Sequence, residues 1–139
     1  MIAPADPDFL DVDDVLLIHE EQLARYGGGA GIRDAGLLDS ALGTPRATFG
    51  GGFVHEDLFA MAAAYAFHIA QNQPFLDGNK RTGLLAALVF LDLNGVLVPD
   101  PEGRLFAAMI AIAERRVDKD GFAVLLRELA QDAPTTDAS

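Results

Sequence analysis

The 139-residue sequence lacks cysteine and tryptophan altogether, and it is poor in basic residues. Without cysteine there can be no disulfide framework, no thiolate metal site and no cysteine nucleophile. Ten lysines and arginines stand against 21 aspartates and glutamates, which gives a formal net charge of −11. Because such a surface repels nucleic acid and anionic lipid, we expect no direct nucleic-acid partner and no membrane partner.

Long apolar runs are also missing from the sequence. No stretch approaches the roughly 18 uninterrupted apolar residues of a membrane span, and no basic segment followed by an apolar one opens the chain. Together with the lack of cysteine, these absences predict a cytoplasmic protein. Hydrophobic residues still make up 50% of the sequence, which is enough for one domain with a true core.

The spacing of apolar residues predicts an all-α fold. Apolar positions recur at helical intervals after Asp11, a candidate cap, and again over 56–71. Residues 80–94 are apolar nearly all round, which predicts a helix in the middle of the domain. Further helices are predicted at about 34–42, 101–115 and 120–130. Since no strand pattern of useful length appears, we expect a compact bundle of five or six helices.

The sequence divides into an N-terminal extension over 1–8, one domain over 9–131 and a flexible tail over 132–139. Inside the domain, the segment 44–54 carries a proline and a glycine triplet, which predict a loop or a small hairpin. We expect this segment to be the flexible piece of the domain.

The segment 72–82, NQPFLDGNKRT, places a polar turn at the start of the predicted helix that follows it. Unpaired N–H groups and the helix dipole make such a start a binding site for anions. Gly78 lets a phosphate approach the backbone, Lys80 and Arg81 add positive charge, and Asp77 is a candidate Mg²⁺ ligand. On residue types and spacing alone, a simpler interpretation is favoured: Asp77 caps the helix and the basic pair is merely solvated.

The string PFLDGNKRTG resembles the core motif of the Fic/Doc superfamily, His-Pro-Phe-x-Asp/Glu-Gly-Asn-Gly/Lys-Arg. Lys80 followed by Thr82, the string YGG after the first helix, and LVFLDLNGV after the motif resemble its Doc (death on curing) toxin branch. The similarity runs from about Phe9 to Glu128. It implies a Fic-type helical bundle with a short flap, so that 9–131 would be a Fic/Doc domain.

The resemblance also implies an activity and partners. Proteins of the superfamily transfer part of a nucleotide to a protein hydroxyl. The Doc branch implies a kinase that uses ATP and Mg²⁺ to phosphorylate a threonine of a translation factor such as elongation factor Tu, which blocks translation. It further implies a toxin–antitoxin system, in which the disordered tail of an antitoxin protein covers the active-site groove.

Carried onto this sequence residue by residue, the motif implies the following roles. Asp77 would hold Mg²⁺ and act in catalysis with the basic pair, and Phe75 would anchor the loop in the core. The nucleotide-binding turn would consist of Gly78, Asn79, Lys80 and Arg81. The flap that aligns the target would lie at Gly50, Gly51, Gly52 and Phe53.

The motif histidine, which in the family takes the proton from the target hydroxyl, falls on Gln73. Glutamine has no lone pair basic enough for that task near neutral pH, and a positioned base contributes roughly 10²- to 10⁴-fold in rate. We therefore expect impaired transfer. Two origins stay open: a natural member with lost or altered activity, or a copy inactivated so that a toxic protein could be produced. The intact remainder of the motif slightly favours the second.

Two other functions stay open. A pseudoenzyme that binds nucleotide or a partner protein as a regulator is compatible with Gln73. Transfer of AMP is a third reading. Lys80 replaces the glycine, and Leu84 the second arginine, that AMP-transferring relatives usually carry, and both argue against it. None of the three histidines is expected to replace the missing base; they are His19, His55 and His68.

Overall fold

The computed structural model describes residues 7–131, which form six α-helices and one small antiparallel hairpin. The helices are α1 Val12–Tyr26, α2 Ala35–Gly43, α3 Leu58–Asn72, α4 Asn79–Leu93, α5 Arg104–Ala113 and α6 Lys119–Gln131. Between α2 and α3 lie a 3-10 turn, Thr44–Arg46, and the hairpin strands β1 Thr48–Phe49 and β2 Gly52–Phe53. The predicted all-α bundle with a short hairpin is confirmed. The predicted tail over 132–139 and the first six residues of the predicted extension lie outside the described residues.

Aspartate side chains begin the first three helices. Asp11 and Asp14 form a reciprocal capping box at α1, in which each carboxylate accepts the backbone N–H of the other residue at 2.9 Å. Asp34 and Asp57 cap α2 and α3 through one such bond each. Asp57 also accepts two hydrogen bonds from Arg127, both at 3.1 Å, so the start of α3 is tied to α6.

The central helix of the bundle is α3. Ten of its residues are buried, many of them alanines, and α2, α4, α5 and α6 all pack against it. The sequence pattern predicted that the helix at 80–94 holds this central place, and the structure corrects that prediction. On α4 the side chains of Leu84, Leu85 and Leu88 are only half-buried, because they line a groove beside α1 and α5.

The axes of α3 and α4 come together at Gly83. A Cβ atom at this position would lie only 2.9 Å from the backbone oxygen of Ala66 on α3. Such a distance is below van der Waals contact, so only glycine allows this approach. The contact fixes α4 one turn beyond its start, close to the segment predicted to bind phosphate.

The segment before α1 packs on the bundle. Leu10 is buried, and its N–H donates to the hydroxyl of Tyr65 at 2.9 Å. Asp8 exchanges two backbone-to-side-chain hydrogen bonds with Asn94, so the last part of the predicted extension lies against the end of α4. Within residues 7–131, no helix is long and apolar enough to cross a membrane.

Candidate functional site

The turn between α3 and α4 is anchored from inside by Phe75. This side chain is 1% exposed, and its ring stacks on the ring of His19 with a centroid distance of 3.8 Å. Asn79 closes the turn, because its side-chain amide donates to the carbonyl of Phe75 and accepts from the N–H of Phe75, both at 3.0 Å. The prediction that Phe75 anchors this loop in the core is confirmed.

The start of α4 is an open helix end. Its N-cap is Gly78, which has no side chain, and no side-chain hydrogen bond caps the helix. The amide of Asn79 is already used by Phe75, so Asn79 can offer a phosphate its backbone N–H rather than its side chain. The backbone N–H groups of the first turn and the positive end of the helix dipole therefore remain for an anion.

Asp77 stands beside this helix start but does not cap it. Its Oδ2 accepts the backbone N–H of Gly29 at 2.7 Å, and its own backbone carbonyl accepts Nε2–H of His19 at 2.8 Å. Gly28 has a φ of +122°, and a Cβ there would lie 3.1 Å from the Asp77 Cβ, so glycine lets this loop approach. The interpretation of Asp77 as a simple helix cap is therefore wrong. No donor among the described residues uses its Oδ1.

The guanidinium of Arg81 is held between two aromatic rings. Its central carbon lies 3.8 Å from the ring centroid of Tyr26 and 4.3 Å from that of Phe106. Because two rings lie this close to the guanidinium, the N–H groups that point away from them are the part left for an anion. No role was predicted for Phe106, since it lies on α5 far from the motif and no local pattern marks it.

These groups line one cavity of about 300 Å³, at the lower end of the range for small-molecule sites. It gathers the predicted residues Asp77, Gly78, Asn79, Lys80 and Arg81 with Gln22, Tyr26 and Phe106. A groove of about 430 Å³ adjoins it, shares Arg81 and both aromatic residues, and continues over the half-buried leucines of α4. The predicted nucleotide-binding turn is thus a single concave surface with two cations and one carboxylate.

Gln73 and the hairpin do not line this cavity. Gln73 ends α3 in the left-handed conformation, with φ 47° and ψ 59°, and its side chain is exposed. At the hairpin, Gly50, Gly51 and Gly52 are exposed, the ring of Phe53 packs on Phe9, and Phe49 is 86% exposed. The predicted roles of Gln73 and of the flap stay predictions.

None of the three histidines lines the cavity. His19 is buried, and its Nε2–H is already donated to the Asp77 carbonyl, so its effect is to position Asp77; the sequence analysis missed this role. Burial, followed by the charge of Lys119 and by His55, lowers the pKa of His68 to about 4. Burial and then Lys119 also lower the pKa of His55. Neither His55 nor His68 lines the cavity.

A metal ion at this site would need ligand atoms from a bound nucleotide in addition to the protein side chains. The described residues contain no group of three acidic or histidine side chains that could hold a metal ion alone. Asp77 offers one carboxylate, and Mg²⁺ commonly takes one or two carboxylates and completes its shell with phosphate oxygens and water. The donor set therefore fits Mg²⁺ that arrives with a nucleotide.

Comparisons with known proteins identify the family to which this chain belongs. A family model described as Fic/DOC family matches residues 9–91, which span α1 to most of α4 and include the whole turn. The chain belongs to the Fic/Doc family. The predicted family, and its Doc branch, are confirmed. Phe106 lies beyond the matched residues, so this family model carries no information on it.

Two relatives from the Doc branch are similar over most or much of the chain. The first, "Toxin Doc" of Mycolicibacterium smegmatis, is 38% identical over 130 residues, which cover 92% of this chain and 98% of that protein. The second, "Protein kinase doc" of Escherichia phage P1, is 36% identical over 88 residues, which cover 63% of this chain and 69% of that protein. Because the first similarity covers 92% of this chain, it includes α5 as well as the motif.

Proposed function

We propose that this chain is the toxin of a toxin–antitoxin system, a phosphotransferase that uses Mg²⁺-ATP to phosphorylate a threonine of a translation factor such as elongation factor Tu. One observation carries the proposal: the open start of α4, the cations of Lys80 and Arg81, and the carboxylate of Asp77 share one cavity. Family membership and two relatives whose names include toxin and protein kinase support it.

The phosphates of ATP would lie against the first turn of α4. Backbone N–H groups near Gly78 bind phosphate oxygens, the exposed Lys80 adds a point charge, and Arg81 donates from its free edge. The backbone N–H groups and the Arg81 guanidinium are held in place before the nucleotide arrives, and phosphoryl transfer depends mainly on such positioning and on stabilisation of negative charge. Asp77 would hold Mg²⁺, which when bound neutralises charge on the phosphates.

The weak part of the machinery is the proton acceptor. The hydroxyl oxygen of the target forms a bond to the γ-phosphorus, the bond to ADP breaks, and the hydroxyl proton must leave. The Gln73 side chain can accept a hydrogen bond from that hydroxyl, but it cannot take the proton near neutral pH. We therefore expect this chain to bind nucleotide and to transfer phosphate slowly.

The groove beside the cavity suits a partner segment. Leu84, Leu85 and Leu88 are half-buried there, and the groove opens directly onto Arg81. The tail of an antitoxin that covered these leucines would also obstruct the nucleotide cavity. We include such an antitoxin, and action in the cytoplasm, in the proposal.

The test compares ATP labelled at the γ- or α-phosphate with purified elongation factor Tu as acceptor. Gln73→His should raise transfer of the γ-label by about 10²-fold or more, and adding Asp77→Ala should abolish it. Asp92→Ala, an exposed aspartate at the other end of α4, is the matched control and should have no effect. Transfer of the α-label instead would identify an AMP transferase.

A pseudoenzyme is the second candidate, and Gln73 together with the absence of histidine from the cavity lining favours it. In that case the chain binds nucleotide, or a partner protein, as a regulator. If the Gln73→His protein binds ATP but neither modifies a translation factor nor slows growth on expression, the toxin proposal is wrong and the pseudoenzyme takes its place.

A further inference from the structure

Three consecutive carbonyl groups at the end of α3 are held by two residues of the loop after α1. Nη2 of Arg33 donates to the carbonyl of Asn72, and Nε of Arg33 donates to the carbonyl of Gln73, both at 2.7 Å. The backbone N–H groups of Arg33 and Asp34 both donate to the carbonyl of Pro74, at 2.7 and 3.1 Å. The cation also lies at the negative end of the α3 dipole, where it is favourable.

Residue 73 needs such a restraint because of its backbone conformation. Among the described residues, only Gln73 and Arg115 adopt a positive φ without being glycine. The left-handed region is narrow for side chains with a Cβ, so a residue there stays only where its surroundings fix it. The Gln73 side chain is exposed, so packing of that side chain does not fix it.

Other contacts restrain the backbone on either side of the Gln73 carbonyl. On one side the N–H of Gln73 continues the helix by donating to Ile69 at 3.1 Å, and on the other side Pro74 and Phe75 are buried. Within the described residues, the carbonyl of Gln73 accepts only from Arg33. Arg33 itself is exposed, so its side chain can be removed without opening a cavity.

We propose that Arg33 is a positioning residue for residue 73. The two hydrogen bonds of the Arg33 guanidinium fix the orientation of the peptide plane after residue 73. They thereby fix the direction in which the side chain at 73 points. Arg33 does not line the cavity, so it acts on transfer only through the backbone segment 72–74 that its hydrogen bonds hold, with residue 73 at the centre. Its importance for transfer rests on the proposed function, whereas its effect on the backbone at residue 73 does not.

The first experiment uses the chain as it stands and needs no activity. Backbone ¹³C shifts and the ¹⁵N order parameter of Gln73 are compared by NMR in Arg33→Ala, Arg33→Lys and a control, Arg116→Ala, which removes another exposed arginine with its own partner. Arg33→Ala should shift the ¹³C signals away from left-handed values and lower the order parameter from about 0.85 towards about 0.6. Arg33→Lys should change these signals less than Arg33→Ala does, because an ammonium can still donate to one carbonyl. Unchanged signals in Arg33→Ala would overturn the proposal.

The second experiment places the same substitutions in the Gln73→His protein and measures phosphate transfer. Arg33→Ala should lower kcat by about 10-fold or more while KM for ATP changes by less than about two-fold, since only the proton acceptor is misplaced. Arg33→Lys should restore part of kcat, and Arg116→Ala should change neither constant.

Thermal unfolding of each variant is the control that tests whether the fold is kept. A loss confined to KM, or no loss in kcat, contradicts the role in transfer. If Gln73→His transfers nothing at all, the proposed function fails, and the NMR comparison still decides the role of Arg33.

Discussion

The aromatic rings around Arg81 lead to a prediction about nucleotide affinity. In the substitution Phe106→Leu the side chain stays apolar and of similar bulk, but the ring face 4.3 Å from the guanidinium is lost. Arg81 then keeps only the Tyr26 ring, whose centroid lies 3.8 Å from the guanidinium carbon. Its guanidinium gains rotational freedom, and that freedom must be removed again when phosphate binds.

The size of the effect follows from the geometry. A cation over an aromatic ring contributes roughly 0.5–1 kcal/mol at exposed sites and about 2 kcal/mol when it is desolvated. Arg81 is half-buried, so loss of one ring should weaken binding of Mg²⁺-ATP by about 1 kcal/mol, or about five-fold in Kd. Arg81→Ala removes the charge and all the guanidinium N–H donors, and it should abolish most of the affinity.

Calorimetry on four proteins measures this as a double-mutant cycle: the parent chain, Phe106→Leu, Arg81→Ala and the double variant. If Phe106 acts through Arg81, Phe106→Leu has no further effect once Arg81 is gone. Ile110→Ala, one helical turn further along α5 and partly exposed, is the control for the helix itself and should leave Kd unchanged.

Two results would refute the reasoning. An equal loss of affinity from Phe106→Leu with and without Arg81 would mean that Phe106 contacts the nucleotide directly. An unchanged Kd in Arg81→Ala would mean that the basic pair at the start of α4 is only solvated, as residue types alone suggested.

Two further predictions concern stability, and both are measured by denaturant titration. Gly83→Ala should lower the free energy of unfolding by about 1–3 kcal/mol, since the new Cβ would lie 2.9 Å from a backbone oxygen, whereas Gly43→Ala, with nothing within 4 Å, should leave it equal or higher. The pKa of His68 is about 4 in the folded chain against its ordinary value of 6.5, so only the unfolded chain takes up this proton between those values. Stability should therefore fall as pH drops through that window, and His68→Gln should reduce the fall; an identical pH dependence in the variant contradicts this.

The grouping of the residues that we propose bind nucleotide could be predicted from the sequence because they are neighbours in the chain. Gly78, Lys80 and Arg81 lie within one helical turn, so local rules fix where they point. The contacts that hold this turn could not be predicted in the same way. Gly29 meets the Asp77 carboxylate across 48 positions of sequence, and His19 meets its carbonyl across 58, and no local pattern specifies such pairs.

The central helix was misplaced for a related reason. The prediction followed the leucine-rich run of α4, although α3 is the more apolar of the two helices. Burial at the centre of a bundle depends instead on how closely neighbours can approach. The alanines of α3 allow α2, α4, α5 and α6 to approach it, whereas the leucines of α4 partly face a groove. Small residues therefore mark the centre here, and an interpretation that relies on large aliphatic side chains overlooks them.

Different contacts hold the two parts of the proposed machinery in the structure. The phosphate side is fixed by His19, Gly29 and the aromatic rings at Arg81, and none of those contacts involves the side chain at position 73. Residue 73 is fixed separately, by Arg33. Because the supports are separate, a change of side chain at position 73 can remove the proton acceptor while the cavity keeps its shape. Nucleotide binding without efficient transfer is therefore a state that this fold can sustain, and a single substitution, Gln73→His, is enough to ask whether transfer returns.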